Sequence, residues 1–496
     1  MKWNRRDMVC MSNSIHWFGW QLRRDRGFLL FYIVALFCLF PLLTFAIYSP
    51  EDDSFLYLEL VILPILCIVA MACFMPSHLF AHLWNKRELD LYSSIPLKRA
   101  AMFSLRFFTG LFISFVPLLM AIALECGVLL LLRMDTNLMM AMLRCTGKSM
   151  ALGALLYSLN VWIAVRCHNR LDTAVMTISY LAVPLIIIVG VYGLIANNIN
   201  AILVCNEADI IASLITENVL VRWLINLFAP LISFAMILSE GMSVFAAESL
   251  SKIAVPPFIW IMWLLESAML TALSHRAYVR APHEESGQRT SHIMMYPFVI
   301  DALTLGLFVY AMDVDDSTFS RSIFIGAIFL FLLLSFIAQR KVRIRIRHVA
   351  TLAVLGILTG LLQLAVVQTA GFGLVQENIP ADAERYRLIV TMDQYEEGQT
   401  MTMTSVWIEA GNDDLIGLLR SFQDEVIEDA KENDPSAWDD GKPTMTIQFN
   451  YDSNGGSGTR SYFLFDANQE YLQKYRAVIS QFSEDSRVTT EIISES

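Results

Sequence analysis

The tripeptide Gly147-Lys148-Ser149 ends like a phosphate-binding loop, in which backbone N–H groups and a lysine cradle a nucleotide's phosphates. The full loop reads Gly-x-x-x-x-Gly-Lys-Ser/Thr, and Met142 stands where its first glycine belongs. Nucleotide hydrolysis by this chain alone is therefore not expected. A second grouping, Glu284-Glu285-Ser286-Gly287-Gln288-Arg289, sets two carboxylates side by side. Phe74-Met75-Pro76-Ser77-His78 offers a histidine that could share with them the activation of a water. A third set, Glu59, Glu125, Glu266 and Asp301, sits inside apolar runs. An acid near a bilayer's centre costs about 2.5–3.5 kcal/mol on insertion scales, so such groups face a bundle interior or a wet cavity. Glu266 and Asp301 are the two expected to line a translocation path. The alternative is a carboxyl hydrogen-bonded to a neighbouring helix.

The frame that must position these groups is a membrane one. Of 496 residues, 56% are hydrophobic and 17% charged, with mean hydropathy +0.52, whereas soluble chains run about 45–50% and about 25%. The formal net charge of −11 is uneven: from Gly371 onward 9 Lys+Arg face 24 Asp+Glu, and the remainder is net basic. Such asymmetry separates a membrane part from an acidic soluble part. All eight cysteines precede the acidic tail and no pair has Cys-x-x-Cys spacing, which argues against a disulfide scaffold or zinc ribbon.

Apolar runs of the length a crossing needs, about 20 residues, occur near 27–48, 56–80, 107–132, 150–166, 174–196, 253–273, 292–312, 322–339 and 349–369. That gives nine spans. A tenth run, 223–238, carries Pro230 near its middle. If it crossed, the basic run Arg340–Arg347 would be exported, against the tendency of Lys and Arg to stay inside. It is expected to be a re-entrant segment, a broken helix pair. With the N-terminus in the cytoplasm, the ninth span delivers residues 371–496 outside, and Gly147–Ser149 falls in an outer loop. Trp17, Phe18 and Trp20 beside Arg23 and Arg24 suggest an interfacial helix lying on membrane lipid. Gly356 and Gly360 form a small-xxx-small pair expected to pack the ninth span. The Arg340–Arg347 run could bind anionic headgroups or a soluble partner and is read first as a topology anchor; with no fold around it, nucleic-acid binding is not expected.

Between the second and third spans lies Trp84-Asn85-Lys86-Arg87-Glu88-Leu89-Asp90-Leu91-Tyr92-Ser93-Ser94-Ile95-Pro96-Leu97-Lys98-Arg99. It reads as a small membrane-parallel helix and a hinge, with Pro96 in the first turn of the next helix and Ser94 within capping reach. A soluble partner could push on the membrane helices there. This segment, leading through Leu-Tyr-Ser-Ser-Ile-Pro-Leu-Lys-Arg into a long apolar helix, resembles that of ABC-2-type transporter permeases, most of all the Ytr-like permeases of Gram-positive bacteria. The stretch from His275 to Gly287 is similar to the end of a six-span permease half. The resemblance implies that Trp84 to Tyr92 contact a separate ABC ATPase subunit, with Ser94 and Pro96 as the hinge. It also implies that ATP and Mg bind in that subunit, that this chain holds no cofactor, metal or catalytic residue, and that a second permease half completes the transporter. That half is a homodimer copy or a related permease. Glu284, Glu285 and Arg289 also resemble the Glu-Glu-x-x-x-Arg motif of CAAX-type membrane proteases. Those enzymes carry Phe-x-x-x-His after that motif, and here Phe74–His78 precedes it.

Beyond residue 370 the periodicity changes. Residues 386–392 and 401–408 read as strands, 413–431 as an amphipathic helix, and 444–449 with 460–465 as a hairpin around Asp452–Gly458. Residues 467–482 read as a second helix. The order ββαββα predicts a small α+β domain, loosely similar to the extracytoplasmic domain of some Ytr-like permeases.

The expected fold is thus a polytopic α-helical membrane protein of about nine transmembrane helices plus a re-entrant segment, with a C-terminal α+β extracytoplasmic domain. It divides into an interfacial helix over 1–26, a six-span permease half over 27–276, three further spans over 277–370 and the outer domain over 371–496. The expected role is the permease subunit of an ATP-binding-cassette exporter in the cell membrane, moving an envelope-active or amphipathic substrate. The alternatives are a sensor complex whose outer domain binds an envelope ligand and, more remotely, the membrane protease.

Overall fold

A computed structural model describes residues 16–47, 62–93, 97–132, 136–198, 219–245, 255–256, 258–280, 292–313, 317–339, 342, 344–369, 385–394, 400–409, 413–432, 444–453, 456–465 and 489–495. Residues 16–24 are helical. Helix α1 (Arg26–Phe37) continues through a π turn, Cys38–Leu42, into Leu43–Ile47; the turn holds Pro41, which has no N–H for the regular ladder. There follow α2 (Leu63–Leu79), a 3-10 turn (Ala81–Trp84), α3 (Lys86–Ser93), α4 (Arg99–Leu131), α5 (Thr136–Arg166) and α6 (Arg170–Asn198). Next come α7 (Val219–Phe228), α8 (Pro230–Phe245), α9 (Ile259–Arg280), α10 (Tyr296–Asp313), α11 (Ser317–Gln339) and α12 (Ile346–Gln368).

Among the described residues six helices are long and apolar enough to cross a membrane: Arg26–Phe45, Arg99–Leu131, Met142–Arg166, Arg170–Ile195, Phe319–Gln339 and Ile346–Val366. The protein is a polytopic helical membrane protein. Leu63–Leu79 and Tyr296–Met312 are apolar but shorter. The tenth run is a broken pair: α7 and α8 meet at a bend of 115°, and Pro230 opens the second helix where its missing N–H costs nothing. Gly147-Lys148-Ser149 lies inside α5 and not in a loop. A lone glycine weakens a helix by only about 1 kcal/mol, and a helical backbone spends its N–H groups on its own carbonyls, so no phosphate cradle forms.

The chain folds into two compact units, each assembled from segments distant in sequence. The first comprises Met1–Leu185, Trp223–Ala302 and Leu334–Lys341. Its hub is α5, packed along α9, α2, α8 and α4. Leu152, Leu156, Tyr157, Val161, Ile163 and Ala164 are fully buried on it. Polar ties fix the register of these helices. Asn160 Nδ2 donates to Ala72 O at 3.2 Å, and Thr177 Oγ1 donates to Asn160 Oδ1 at 2.9 Å, joining α2, α5 and α6. Tyr157 donates to Phe107 O at 3.1 Å, and Trp263 Nε1 to Asn226 O at 2.8 Å. Lys148 pairs with Glu240, tying α8 to α5.

The second unit comprises Ile186–Arg222, Leu303–Leu333 and Val342–Ser496. Here α6 and α10 approach closely at two glycines: a Cβ on Gly190 would lie 3.1 Å from Gly306 O, and one on Gly306 2.9 Å from Ile186 Cγ2. Phe308 of α10 stacks on Phe324 of α11 at 4.2 Å. The tail is an antiparallel sheet, order β4-β3-β1-β2-β5, of β1 (Arg385–Gln394), β2 (Thr400–Glu409), β3 (Thr444–Ser453), β4 (Gly456–Phe465) and β5 (Thr489–Glu495). Tyr386, Leu388 and Val390 stand opposite Tyr451, Phe449 and Ile447 on one face, as the strands' two-residue period requires. They share a core with Leu415, Leu419, Phe422 and Val426 of α13 (Asp413–Glu432). Leu194, Ile195, Val309 and Val366, near the ends of α6, α10 and α12, belong to the same apolar cluster. The edge strand β5 was not expected from its sequence, and residues 467–482 lie outside the described residues.

At Gly153 an added Cβ would overlap Ile68 of α2 and come within 3.3 Å of Phe115 of α4, whereas at Gly127 it meets no atom within 4 Å. Gly153→Leu is expected to destabilise the purified chain by about 1–3 kcal/mol and lower its thermal transition in detergent. Gly127→Leu leaves that transition where it is or raises it.

Candidate functional site at the elbow helix

The polar segment after α2 folds around its own cap. Asn85 is extended, at φ −118° and ψ 114°, where the 3-10 turn ends. Its Oδ1 accepts from Arg87 N at 3.2 Å, its carbonyl from Leu89 N at 2.9 Å, and its Nδ2 donates to Glu88 Oε1 at 3.2 Å. The Asn85 side chain thereby satisfies one donor, Arg87 N, that the first turn of α3 leaves open, Glu88 holds that side chain in place, and Glu88 complements the helix dipole. Eight residues are still too few for a stable helix in water. What holds α3 is Tyr92, 5% exposed, while Lys86, Arg87, Asp90 and Leu91 face outward and Glu88 and Leu89 are half-buried. Before it, Trp84 Nε1 donates to Cys167 O at 3.1 Å, tying the elbow to the turn where Asn169 caps α6.

Tyr92 sits against a buried cation. Arg106 of α4 is 2% exposed, and its guanidinium carbon lies 4.3 Å from the centre of the Tyr92 ring. Its Nη1 donates to Leu79 O, the end of α2, at 2.6 Å, and also to His82 Nδ1. Arg24, from the N-terminal helix, donates to the Tyr92 hydroxyl, and Trp17 approaches the Tyr92 ring at 6.2 Å. Arginine can only donate, so His82 Nδ1 accepts and the ring proton sits on Nε2, which donates to the Tyr278 hydroxyl of α9 at 3.2 Å. Burial, and then the Arg106 charge, hold His82 well below its usual value of 6.5. Phe80 and Phe103 close the cluster around Tyr278 at 6.1 and 5.6 Å. Arg99 Nη1 adds a bond to Val279 O at 3.4 Å. Through Tyr92 one short helix thereby meets α4 at Arg106, which in turn ties to the end of α2 and, by way of His82, to Tyr278 of α9.

Ser94 and Pro96 lie outside the described residues, as do Glu59, Glu284, Glu285 and Arg289. His78 lies 3.4 Å from Asp25 and stacks between Phe74 and Phe28. Glu125 is fully buried and accepts from Thr44 Oγ1 at 2.5 Å. Asp301 is half-buried in α10, and Glu266 is half-buried in α9. A Cβ on Gly356 or Gly360 would meet no atom within 4 Å, which leaves that face of α12 open; a close approach by small residues occurs at Gly190 and Gly306. Among the described residues no three His, Cys, Asp or Glu side chains gather as a metal site.

Arg106, His82, Arg24 and the Asn85 cap were not found from sequence. A single arginine seven residues into an otherwise apolar helix, and Asn-x-x-Glu before a short amphipathic stretch, were the signals available. The fold and site together define a multi-span helical membrane protein with a capped polar helix clamped to the ends of its bundle helices. Comparison with protein-family models, with curated proteins and with solved structures finds no match for this chain.

Tyr92→Ala is expected to free α3, raising amide exchange over 86–93 at least tenfold. Tyr92→Phe keeps the ring on Arg106 and loses only the hydroxyl's bonds to Arg24 and Arg106, so its effect is smaller. His82 is neutral in the fold and gains a proton near 6.5 once unfolded, so its contribution is complete above that pH. It is lost as the pH falls below, at about 1.4 kcal/mol per pH unit until the folded form also protonates. Thermal unfolding between pH 5 and 7.5 is expected to show this slope in the wild type and not in His82→Gln.

Proposed function

We propose that this chain is the membrane-spanning permease subunit of an ATP-binding-cassette exporter, driven by a separate ATPase subunit that docks on α3. The observation that carries the reading is the seating of α3: one buried tyrosine on Arg106, with Lys86, Arg87, Asp90 and Leu91 turned outward. A push on that outer face reaches α4 through Arg106, α2 through Leu79 O and α9 through His82 and Tyr278. Packed elements of this kind move between discrete arrangements and do not deform smoothly, which suits a lever.

In this reading the six long helices are joined by α2, α9 and α10 as nine crossings, and the bent α7–α8 pair re-enters. Two groupings support that order. The helices that finish at the elbow, α2, α5 and α9, are the second, fourth and sixth crossings. The helices whose ends join the sheet's apolar cluster, α6, α10 and α12, are the fifth, seventh and ninth. Even crossings end in the cytoplasm with the N-terminus and elbow, and odd ones outside with the tail. ATP and Mg belong to the partner, and a second permease half completes the path. The folded sheet domain also favours a sensor version, in which it binds an envelope ligand and the ATPase cycle powers signalling.

The test is copurification with a stand-alone nucleotide-binding subunit encoded beside this chain. Charge reversal of the two exposed bases, Lys86→Glu with Arg87→Glu, is expected to reduce recovery at least tenfold without changing the chain's thermal transition. Unchanged recovery, or labelling of the elbow from outside intact cells, overturns the reading.

A further inference from the structure

We infer that Glu266 is the anchor of a binding site for an organic cation with an apolar body, which resolves the substrate class of the permease; the inference rests on the reading of α9 as a span. The apolar part of α9 runs from Ile259 to Leu273, and Glu266 is its midpoint, about 10 Å from either end at a rise of about 1.5 Å per residue. A carboxylate at that depth is expensive unless something answers its charge. Among the described residues Glu266 has no hydrogen bond and no ion pair, which sets it apart from Glu125, met by Thr44, and Glu240, met by Lys148. It is also only half-buried, so it is reachable.

Its surroundings match the ligand class. At helical spacing Met262 lies four residues before Glu266 and Met269 three after, and Leu265 is adjacent; they are 37%, 58% and 59% exposed. Methionine adapts to varied apolar shapes. On the other flank, Ser267 Oγ lies 2.7 Å from Ser158 Oγ, and that hydroxyl is 3.2 Å from Thr271 Oγ1, so the α5–α9 seam is polar at the same depth. An apolar surface with one unanswered carboxylate beside hydroxyls would hold an ammonium- or phosphonium-like centre and exclude a neutral molecule of the same shape. An anionic lipid or peptide would be repelled.

The experiment measures binding of tetraphenylphosphonium to the purified full chain in phosphatidylcholine nanodiscs, with neutral triphenylphosphine oxide as the shape control. Saturable binding of the cation alone is expected, at least tenfold weaker in Glu266→Gln and largely kept in Glu266→Asp. Equal binding by wild type and Glu266→Gln, or equal binding of the neutral probe, overturns the site. So does a disulfide formed between two copies of Glu266→Cys, which would assign this face to a subunit interface. Membrane-impermeant maleimide applied to intact cells carrying Phe258→Cys or Arg280→Cys, at the two ends of α9, separates the two failures. Labelling of the first alone, with the second labelled only after permeabilisation, supports α9 as a span, so a negative binding result then condemns the site alone; labelling of both in intact cells removes the span on which the site rests.

Discussion

A guanidinium buried at the end of a helical bundle, without a carboxylate partner among the described residues, is the constraint from which the elbow's architecture follows. Arginine keeps its charge in proteins, so Arg106 must be answered by whatever the chain can bring to it. It is answered by a carbonyl at the end of α2, an imidazole nitrogen and the face of Tyr92. Each comes from a different local element. The cation therefore sets where α2 stops, which tautomer His82 holds, and how α3 lies against α4. Removing such a charge's partners singly is costly, because the ion remains and its desolvation is no longer offset.

That arrangement also separates two kinds of helix packing within the first unit. Along α5 the ties are hydrogen bonds to backbone carbonyls and close apolar packing, as at Asn160 with Ala72 O and Tyr157 with Phe107 O. These have one good geometry and hold the helices in register. At the elbow the ties run through ring faces and a forked cation. A cation–π contact is worth about 0.5–2 kcal/mol and tolerates sliding of the ring. A short helix seated this way is held less strictly in register than the helices beneath it.

Much of this was legible in the sequence, for identifiable reasons. Apolar runs announce helices by length alone, and Pro230 together with the distribution of basic residues marked the break between α7 and α8; a proline alone does not, since α4 and α6 carry Pro117 and Pro184 inside unbroken helices. The tail's strands and first helix showed through their periods of two and of three to four. The strand β5 did not, because Thr-Thr-Glu-Ile-Ile-Ser-Glu at a sheet edge has one neighbour only, and its pairing with β2 is a long-range fact. Gly147-Lys148-Ser149 misled for the converse reason: residues typical of a loop are carried through a helix when packing on both sides supports it. Arg106 escaped because its meaning depends on His82, Tyr92 and Tyr278, which are 24, 14 and 172 positions away and meet only in the fold.

The acids within the apolar helices show why depth alone does not assign a role. Glu125 and Glu266 lie in comparable runs, and sequence gives no reason to treat them differently. In the fold Glu125 is sealed beside the π turn of α1, where Thr44 stands between it and Phe40 O at 2.5 and 3.1 Å. A hydroxyl has one proton to give, so the two acceptors share it, and the carboxyl becomes part of what shapes that turn. Among the described residues Glu266 has no such neighbour, and it stays half-buried on α9. A buried carboxyl tied to a neighbouring helix helps to join that pair, as Glu125 does through Oε1 while its Oε2 has no partner among the described residues. An accessible one without a tie is stabilised only by a group that arrives from elsewhere. Partnership and access, together with position along the helix, are what separate a structural acid from one kept for a ligand.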